Sequence, residues 1–597
     1  MDQIHKSIFE REDAVLARRR WLVLGLCLAS MAGLAWAMGK VLDSRGWSAP
    51  TVTFLVIYLI GLPWTLLGFW NSVFGFIILR VVKDPAGYVN PALAATPPSS
   101  PITTRTAVCL CLRNEEVAAA FGRLRTMIDS VLATGHGEHF DFHVLSDTSD
   151  FEIGALEEVM FLRLQVEYAR TGLRYRRRRE NTGYKAGNLE EFAARAQGQY
   201  DHMVVLDADS VMSGGSMLRL VRAMQANPTL GILQTLVVGR PAESGFTRIF
   251  QFGMRHGMRA QTTGGAWWQG SAGPYWGHNA IIRIDPFVEH CKLPTLPGKA
   301  PMGGWVLSHD QVEAALMRGA GWDVRVTPDE YESWEENPTN LPDFIKRDLR
   351  WCQGNLQYLG LLKMPGLKPM GRFQLINAIM MYAGAPMNLL MLIAGLTIAV
   401  TPNPPDLATS MAFGLYAMAL FLGFAPRLLG VLDTLLSGRA RLYGGAPRML
   451  TGCVLDFAFS FLVGPVMMIA QTVFIGGLCF GKKVMWDAQN RADRSVTLGE
   501  AIQGLWPQFA FGLLTVTVLA LTVPAAIFWA ALTIFPCLLA IPFACVTAGR
   551  GFSRLLVKTR LCAVPDEYAP AWELLGEEER PALVKGMSAS APHTAEP

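Results

Sequence analysis

The chain has 597 residues, 51% of them hydrophobic and 17% charged, with a formal net charge of +4 and a mean hydropathy of +0.26. That length exceeds one simple core, so two or more domains are expected, and the charge density is below that of an ordinary soluble enzyme. The small net charge gives no support to a nucleic-acid role, and ten cysteines without paired metal spacing argue against a disulfide framework or a zinc site.

Residues 1–20 carry Lys6, Arg11, Arg18, Arg19 and Arg20. Trp21–Met38 and Phe54–Leu79 are uncharged and long enough to span a bilayer, and Arg80 and Lys83 follow. No small-residue cleavage site follows a short apolar region, so the first span is expected to be retained. The positive-inside rule puts both flanks in the cytoplasm, giving a cytoplasmic segment 1–20 and two transmembrane helices over 21–82. Residues 83–373 have ordinary charge density and are expected to form a cytoplasmic domain.

Within that domain, Ala107–Leu112 reads as a buried strand, followed by Arg113-Asn114-Glu115-Glu116 and a helix. His143–Leu145 is a second strand, ending at Ser146-Asp147. Residues 155–171 read as a helix, Tyr175–Arg179 as a basic third strand and Asn188–Arg195 as a helix. Val204-Val205-Leu206 is a buried strand that stops at Asp207-Ala208-Asp209-Ser210. Strands alternating with helices imply an α/β fold with a doubly wound, parallel sheet. Asp147 and Asp207 both follow strands, where ligands bind in such sheets. Two carboxylates one residue apart can hold a hard divalent cation, and that cation a diphosphate. They are equally at home in a turn or a helix cap.

Four apolar stretches follow: Leu375–Val400, Met411–Leu429, Met449–Phe480 and the double-length Phe509–Ala548. These define a transmembrane bundle over 374–480, a cytoplasmic loop and interfacial helix over 481–507, two transmembrane helices over 508–549, and a cytoplasmic tail over 550–597. The end of that tail, from about Pro581, is Ala-, Pro- and Ser-rich and expected to be disordered. Arg439, Arg441 and Arg448 mark one loop as inside; Lys482, Lys483, Arg491 and Arg494 mark the next; Arg550, Arg554, Lys558 and Arg560 place the C-terminus inside. Met449–Phe480 therefore begins and ends on one side. Either it bends at Gly464-Pro465 as a tight pair, giving eight crossings, or it is re-entrant or interfacial, giving six. Asp456 and Gln471 within the bundle are expected to line a path or to bond between helices.

The order Asp147, Tyr184-Lys185-Ala186-Gly187-Asn188, Asp207-Ala208-Asp209, Ser308-His309-Asp310 and Arg347-Asp348-Leu349-Arg350-Trp351, flanked by spans, resembles the processive membrane glycosyltransferases of family 2, which include cellulose and hyaluronan synthases. Trp276–Arg283 and Ser308-His309-Asp310 are more similar to the glucosyltransferases of osmoregulated periplasmic glucans. The resemblance implies a glycosyltransferase A-type α/β domain, with a mostly parallel sheet, inserted between transmembrane helices. It implies an inner-membrane, multi-pass enzyme with cytoplasmic catalytic domain and termini. The reaction implied is inverting transfer from UDP-glucose, with Mg2+ or Mn2+, onto a growing β-1,2-linked glucan exported to the periplasm. A cellulose-, curdlan- or hyaluronan-like synthase and a single-step transferase to a lipid carrier are the alternatives. Membrane lipid, a periplasmic glucan-modifying protein and an acyl carrier protein are the implied partners.

By the same resemblance, Asp209 contacts the metal, and Asp147, Lys185, Asn188 and Asp207 belong to the donor site. Arg350 meets the diphosphate, Trp351 the acceptor sugar, and His278 the acceptor or diphosphate. Asp310 is the expected catalytic base, since a carboxylate within reach can take the acceptor hydroxyl's proton as the bond forms. A single displacement needs no nucleophilic carboxylate. Trp486 and Arg491, in Val484–Arg491, resemble a gating loop that closes over the donor. Plain structural readings stand beside these roles: a solvated Lys185, a core His278, a helix-capping Asp310, an interfacial helix anchored by Trp351, and an ordinary polar loop at Trp486. The run Arg176–Arg179 is expected to be a solvated face or a lipid-headgroup contact. Family members carry Gln where this chain has Arg347.

Overall fold

The computed structural model describes residues 2–94, 96–97, 99–401, 408–483 and 494–575. Two long apolar helices, α1 (Asp2–Asp43) and α2 (Ala49–Val81), precede an α/β domain. Its elements run β1 (Thr106–Leu112), α3 (Val117–Ala133), β2 (Phe140–Ser146), α4 (Phe151–Glu167), β3 (Gly172–Arg177), α5 (Tyr184–Ala196) and β4 (His202–Asp207). Then come β5 (Val211–Met212), α6 (Gly214–Ala226), β6 (Leu230–Gln234), β7 (Val238–Gly239), α7 (Gly245–Gln269) and β8 (Ala280–Arg283). The domain closes with α8 (Asp310–Gly319), β9 (Asp323–Val326), β10 (Ser333–Glu335) and α9 (Leu341–Leu356). Five further apolar helices follow: α10 (Pro369–Val400), α11 (Thr409–Leu436), α12 (Ala446–Cys479), α13 (Leu498–Thr522) and α14 (Ala526–Thr547).

The main sheet has seven strands in the order β3-β2-β1-β4-β8-β6-β9. β8 runs antiparallel between β4 and β6, and every other pairing is parallel. The sheet is thus mostly parallel, as expected, with the one reversed strand β8. β1 and β4 are near-continuous hydrophobic runs, and β2 is buried throughout, because both faces are covered. One face packs Leu124, Met127, Val221 and Met224 from α3 and α6; the other packs Leu189, Phe192, Ala314 and Met317 from α5 and α8. The register sets Leu112 beside Ser146 and Cys111 beside Asp207, so Asp147 and Asp207 emerge at the same sheet edge. A second, three-stranded sheet, β5-β10-β7, carries Glu335 at the end of β10.

Two glycines dock the domain on the apolar helices. A Cβ on Gly75 of α2 would strike the Ala260 carbonyl, and one on Gly264 of α7 would strike the Asn71 carbonyl. Small residues allow such close helix crossings. Trp268 Nε1 donates to Asn71 Oδ1 at 2.8 Å beside the contact.

Seven helices among the described residues are long and apolar enough to cross a membrane. α12 is one unbroken helix through Gly464 and Pro465, which removes the tight pair and with it the eight-crossing reading. Along its length it meets the α/β domain: Gly452 packs against Phe252, Phe459 meets Phe246 edge-to-face with ring centroids 5.0 Å apart, and Gln471 Nε2 donates to Asp348 Oδ2 at 2.8 Å. The helix packs against α7 and α9 of the domain and also against the apolar helices α10 and α14. Asp456 faces Arg427 at 3.4 Å, so Asp456 and Gln471 serve as contacts between helices. α13 begins at Leu498 and runs through the boundary expected at 507–508.

Residues 561–575 strap back across the domain. Arg248 and Arg255 of α7 bond Glu567 (2.8 Å) and Asp566, Ser130 bonds Glu573, and Ala571 and Leu574 cover Trp334.

Candidate active site

The Asp207–Ser210 turn is closed on itself: the Asp207 N–H donates to Ser210 Oγ and the Ser210 N–H to the Asp207 carbonyl, each at 3.0 Å. Arg123 braces it by donating to the Ala208 carbonyl at 2.8 Å. Lys185 reaches this turn from the start of α5, where Gly183 and Tyr184 take left-handed backbone angles of +69° and +53°. Its ammonium bonds the Asp207 carboxylate and donates to the Gly277 carbonyl at 2.7 Å. Lys185 therefore lies in the first turn of a helix and holds a strand end; it is not a solvated charge. Burial opposes its charge, but Asp207, Cys111 and Asp310 together outweigh that and raise its pKa.

Asp147 is buried. Arg178 grips both its oxygens, at 2.7 and 2.8 Å, and Asn188 Nδ2 donates to Oδ1 at 2.9 Å. Such a fork on a carboxylate is the geometry guanidinium is suited to. The arginine run expected to be a solvated face thus contributes a buried side chain, Arg178, to this site.

Gly277 adopts a φ of +84°, and a Cβ there would lie 3.4 Å from the Asp310 Cβ. Asp310 begins α8 and is half-buried; burial raises its pKa, while His309, the first-turn N–H groups and Lys185 pull it down. His309 Nδ1 and Glu313 Oε2 are 2.8 Å apart, one turn along the same helix. A carboxylate in the first turn of a helix is favoured by the N–H groups there and can also accept a proton. His278 is half-buried, 3.2 Å from Asn279 Oδ1 and 3.5 Å from Glu335 Oε2.

Glu335 is the residue the sequence did not single out. Burial raises its pKa, His278 and Arg347 lower it, and Asp209 and Asp207 raise it. Buried carboxylates that push on one another suit a bound cation. The only three donors drawn within 4.8 Å of one another among the described residues are His136, Glu138 and His139, away from this edge. Asp207, buried Asp209 and Glu335 are not drawn together in that way, so a cation held at this edge would need oxygens from the substrate as well, as Mg2+ commonly takes.

α9 forms the far wall. Gly354 presses against Ser308, and the Tyr358 hydroxyl donates to the Ser308 carbonyl at 2.9 Å. Trp351, one turn earlier on that face, is 44% exposed, so its ring is available to a ligand. Arg347 lies 4.8 Å over that ring and donates to Asn337 Oδ1 at 3.1 Å, and Arg350 is buried. Trp486 and Arg491 lie outside the described residues. Arg494, just after them, bonds Asp343 of α9 at 3.2 Å and Glu500 at 2.9 Å.

Residues 107–290 match the model of glycosyl transferase family 2, and residues 202–425 that of glycosyl transferase family group 2. Glucans biosynthesis glucosyltransferase H of Pectobacterium carotovorum is 36% identical over 94% of this chain and 70% of its own length. The proteins so named in Pseudomonas putida and Escherichia coli K12 are 34% and 35% identical, over 94% and 92% of this chain and 70% and 69% of theirs. A solved structure, the mannosyltransferase PcManGT from Pyrobaculum calidifontis in complex with GDP-Man and Mn2+, is 15% identical, with a TM-score of 0.41 over 64% of this chain and 98% of that one. The chain belongs to glycosyltransferase family 2, in the glucans biosynthesis glucosyltransferase H family.

Proposed function

We propose that this glycosyltransferase moves glucose from UDP-glucose, with inversion, onto the end of a β-1,2-linked glucan. The observation that supports this most is the convergence of Asp147, Lys185–Asp207, Asp209 and Asp310 at one sheet edge, opposite Trp351. Asp147 with Asn188 receives the nucleoside end, and Lys185 and Arg350 the diphosphate. Asp209, with Asp207 and Glu335 nearby, holds Mg2+ or Mn2+, whose chemistry is to stabilise charge on the leaving diphosphate. Trp351 offers an aromatic face to the acceptor pyranose, and His278 sits between acceptor and diphosphate. Asp310 takes the proton from the attacking hydroxyl.

The α/β domain faces the cytoplasm, where nucleotide sugars are made, and the glucan leaves through the inner-membrane helices. Six helices cross, and α12 lies along the cytoplasmic face; its contacts with α7 and α9 and the basic loops at both ends support this. A periplasmic glucan-modifying protein and an acyl carrier protein are the proposed partners. The test is to incubate the purified enzyme with radiolabelled UDP-sugars and Mg2+ or Mn2+, then digest the product with linkage-specific glucanases. A polymer from UDP-glucose cut only by a β-1,2-glucanase is expected; a glycolipid, or no polymer, contradicts the proposal.

A further inference from the structure

A cleft of about 230 Å³ opens where β3, the edge strand, runs past the end of α5. α5 covers β1 and β2 with Leu189 and Phe192, but beyond them the layer is incomplete. On that face β3 presents Arg174 and Arg176, two residues apart and so on one side of the strand, beside His143 and Leu145 of β2. Arg195 comes from α5, and Phe192, Gln199 and Tyr200 complete the wall.

The cleft is short of negative charge. Glu191 is the one carboxylate paired with Arg195 (2.5 Å) and Arg176 (3.5 Å) among the described residues, and it is shared with Arg178 (3.7 Å), which is otherwise held by Asp147. Asp141 is occupied by Arg105 at 2.5 Å and by the Tyr200 hydroxyl at 2.6 Å. Arg174 has no carboxylate within ion-pair distance among the described residues, and its side chain is exposed. Arg176 Nε and Nη1 are buried; Nε has no hydrogen-bond partner, and Nη1 has only the 3.5 Å ion pair with Glu191. Buried polar groups are almost always satisfied, so an unsatisfied guanidinium donor at the wall of a cleft points to an absent acceptor. His143 is consistent with this excess: burial, then Arg174, push its pKa down to about 4.

We propose that this cleft binds a soluble phosphomonoester the size of a hexose phosphate. The phosphate takes the free donors of Arg174, Arg176 and Arg195, and the ring lies against Phe192 and Tyr200. The cleft is separate from the donor site but wired to it. Arg176 Nη2 bonds both the carbonyl (2.9 Å) and the side-chain oxygen of Asn188, and Asn188 bonds Asp147. Drawing Arg176 into the cleft loosens Asn188, so occupancy changes the affinity for the nucleotide donor.

The experiment uses the full-length protein in phosphatidylcholine nanodiscs and equilibrium binding of radiolabelled glucose 6-phosphate. One saturable site is expected. Arg174→Gln and Arg195→Gln, both exposed and so harmless to folding, are each expected to weaken it by roughly tenfold, the loss of one charged hydrogen bond. Asp209→Asn, in the other site, is expected to leave it unchanged. Absence of binding, binding indifferent to both arginines, or binding abolished by Asp209→Asn would overturn the proposal. Displacement by phosphatidylglycerol in the nanodisc would also overturn it, assigning the cleft to a lipid headgroup.

Discussion

The ammonium of Lys185 is bonded to the carboxylate of Asp207, joining the first turn of α5 to the end of β4. The same ammonium holds the Gly277 carbonyl, so three segments far apart in sequence meet at one cation. A diphosphate arriving at this edge finds a lysine already positioned.

Lys185→Met is therefore expected to raise the KM for UDP-glucose. Loss of one hydrogen bond from a charged donor is worth about 1.5–3 kcal/mol, or roughly ten- to a hundredfold. Steady-state kinetics at saturating metal measure it; an unchanged KM would return Lys185 to a structural role.

Arg178→Gln is expected to act through Asp147. Removing one partner of a buried ion pair costs about 3–5 kcal/mol because the other charge is left unmatched. UDP affinity, read by calorimetry, should fall, and so should the thermal midpoint. Normal values for both would restore Arg178 to the solvated face.

Gly277→Ala tests the close approach to Asp310. The left-handed backbone angle costs a non-glycine residue about 1–2 kcal/mol, and the new methyl meets the Asp310 Cβ. A protein that folds and binds UDP but turns over roughly a hundredfold more slowly is expected, since small misplacements of a reacting group are costly.

The strap gives a stability prediction with a defined sign. Burial opposes the charge of Glu330, but Arg255 (3.0 Å) and Arg439 (3.7 Å) outweigh it, and its pKa is lowered. Its stabilising contribution is complete above the ordinary glutamate value, about 4.3, and is lost as pH falls through the lower folded value. Thermal midpoints should decline on acidification below about pH 4. Arg255→Ala, which leaves Glu330 and Asp566 without their shared guanidinium, should lower the midpoint at neutral pH as well.

The main features of the edge were legible because they lie on regular elements. A β-branched run ending in Asp207-Ala208-Asp209 reads as a buried strand meeting a ligand, and the register of β1, β2 and β4 brings Asp147 and Asp207 to one edge. Glu335 was not legible, because β10 has three residues and no period to read. Arg178 was hidden in a charge run whose alternate members face opposite sides of an edge strand; one position decides between water and Asp147. The course of α12 follows from tertiary contacts: Pro465 allowed a bend on sequence grounds, and the helix absorbs it. The reversed strand β8 depends on a long connection through α7 that no local pattern encodes.

The most direct test of the account is Asp310→Asn, measured for UDP binding and for turnover across pH. With the native residue, burial raises the Asp310 pKa, so activity should fall on acidification from a higher pH than an ordinary aspartate would give. The amide retains the shape and the first-turn position but cannot accept the proton. The account predicts UDP affinity unchanged and glucosyl transfer reduced to background at every pH. Turnover near the native rate, with an unaltered acid limb, would contradict it.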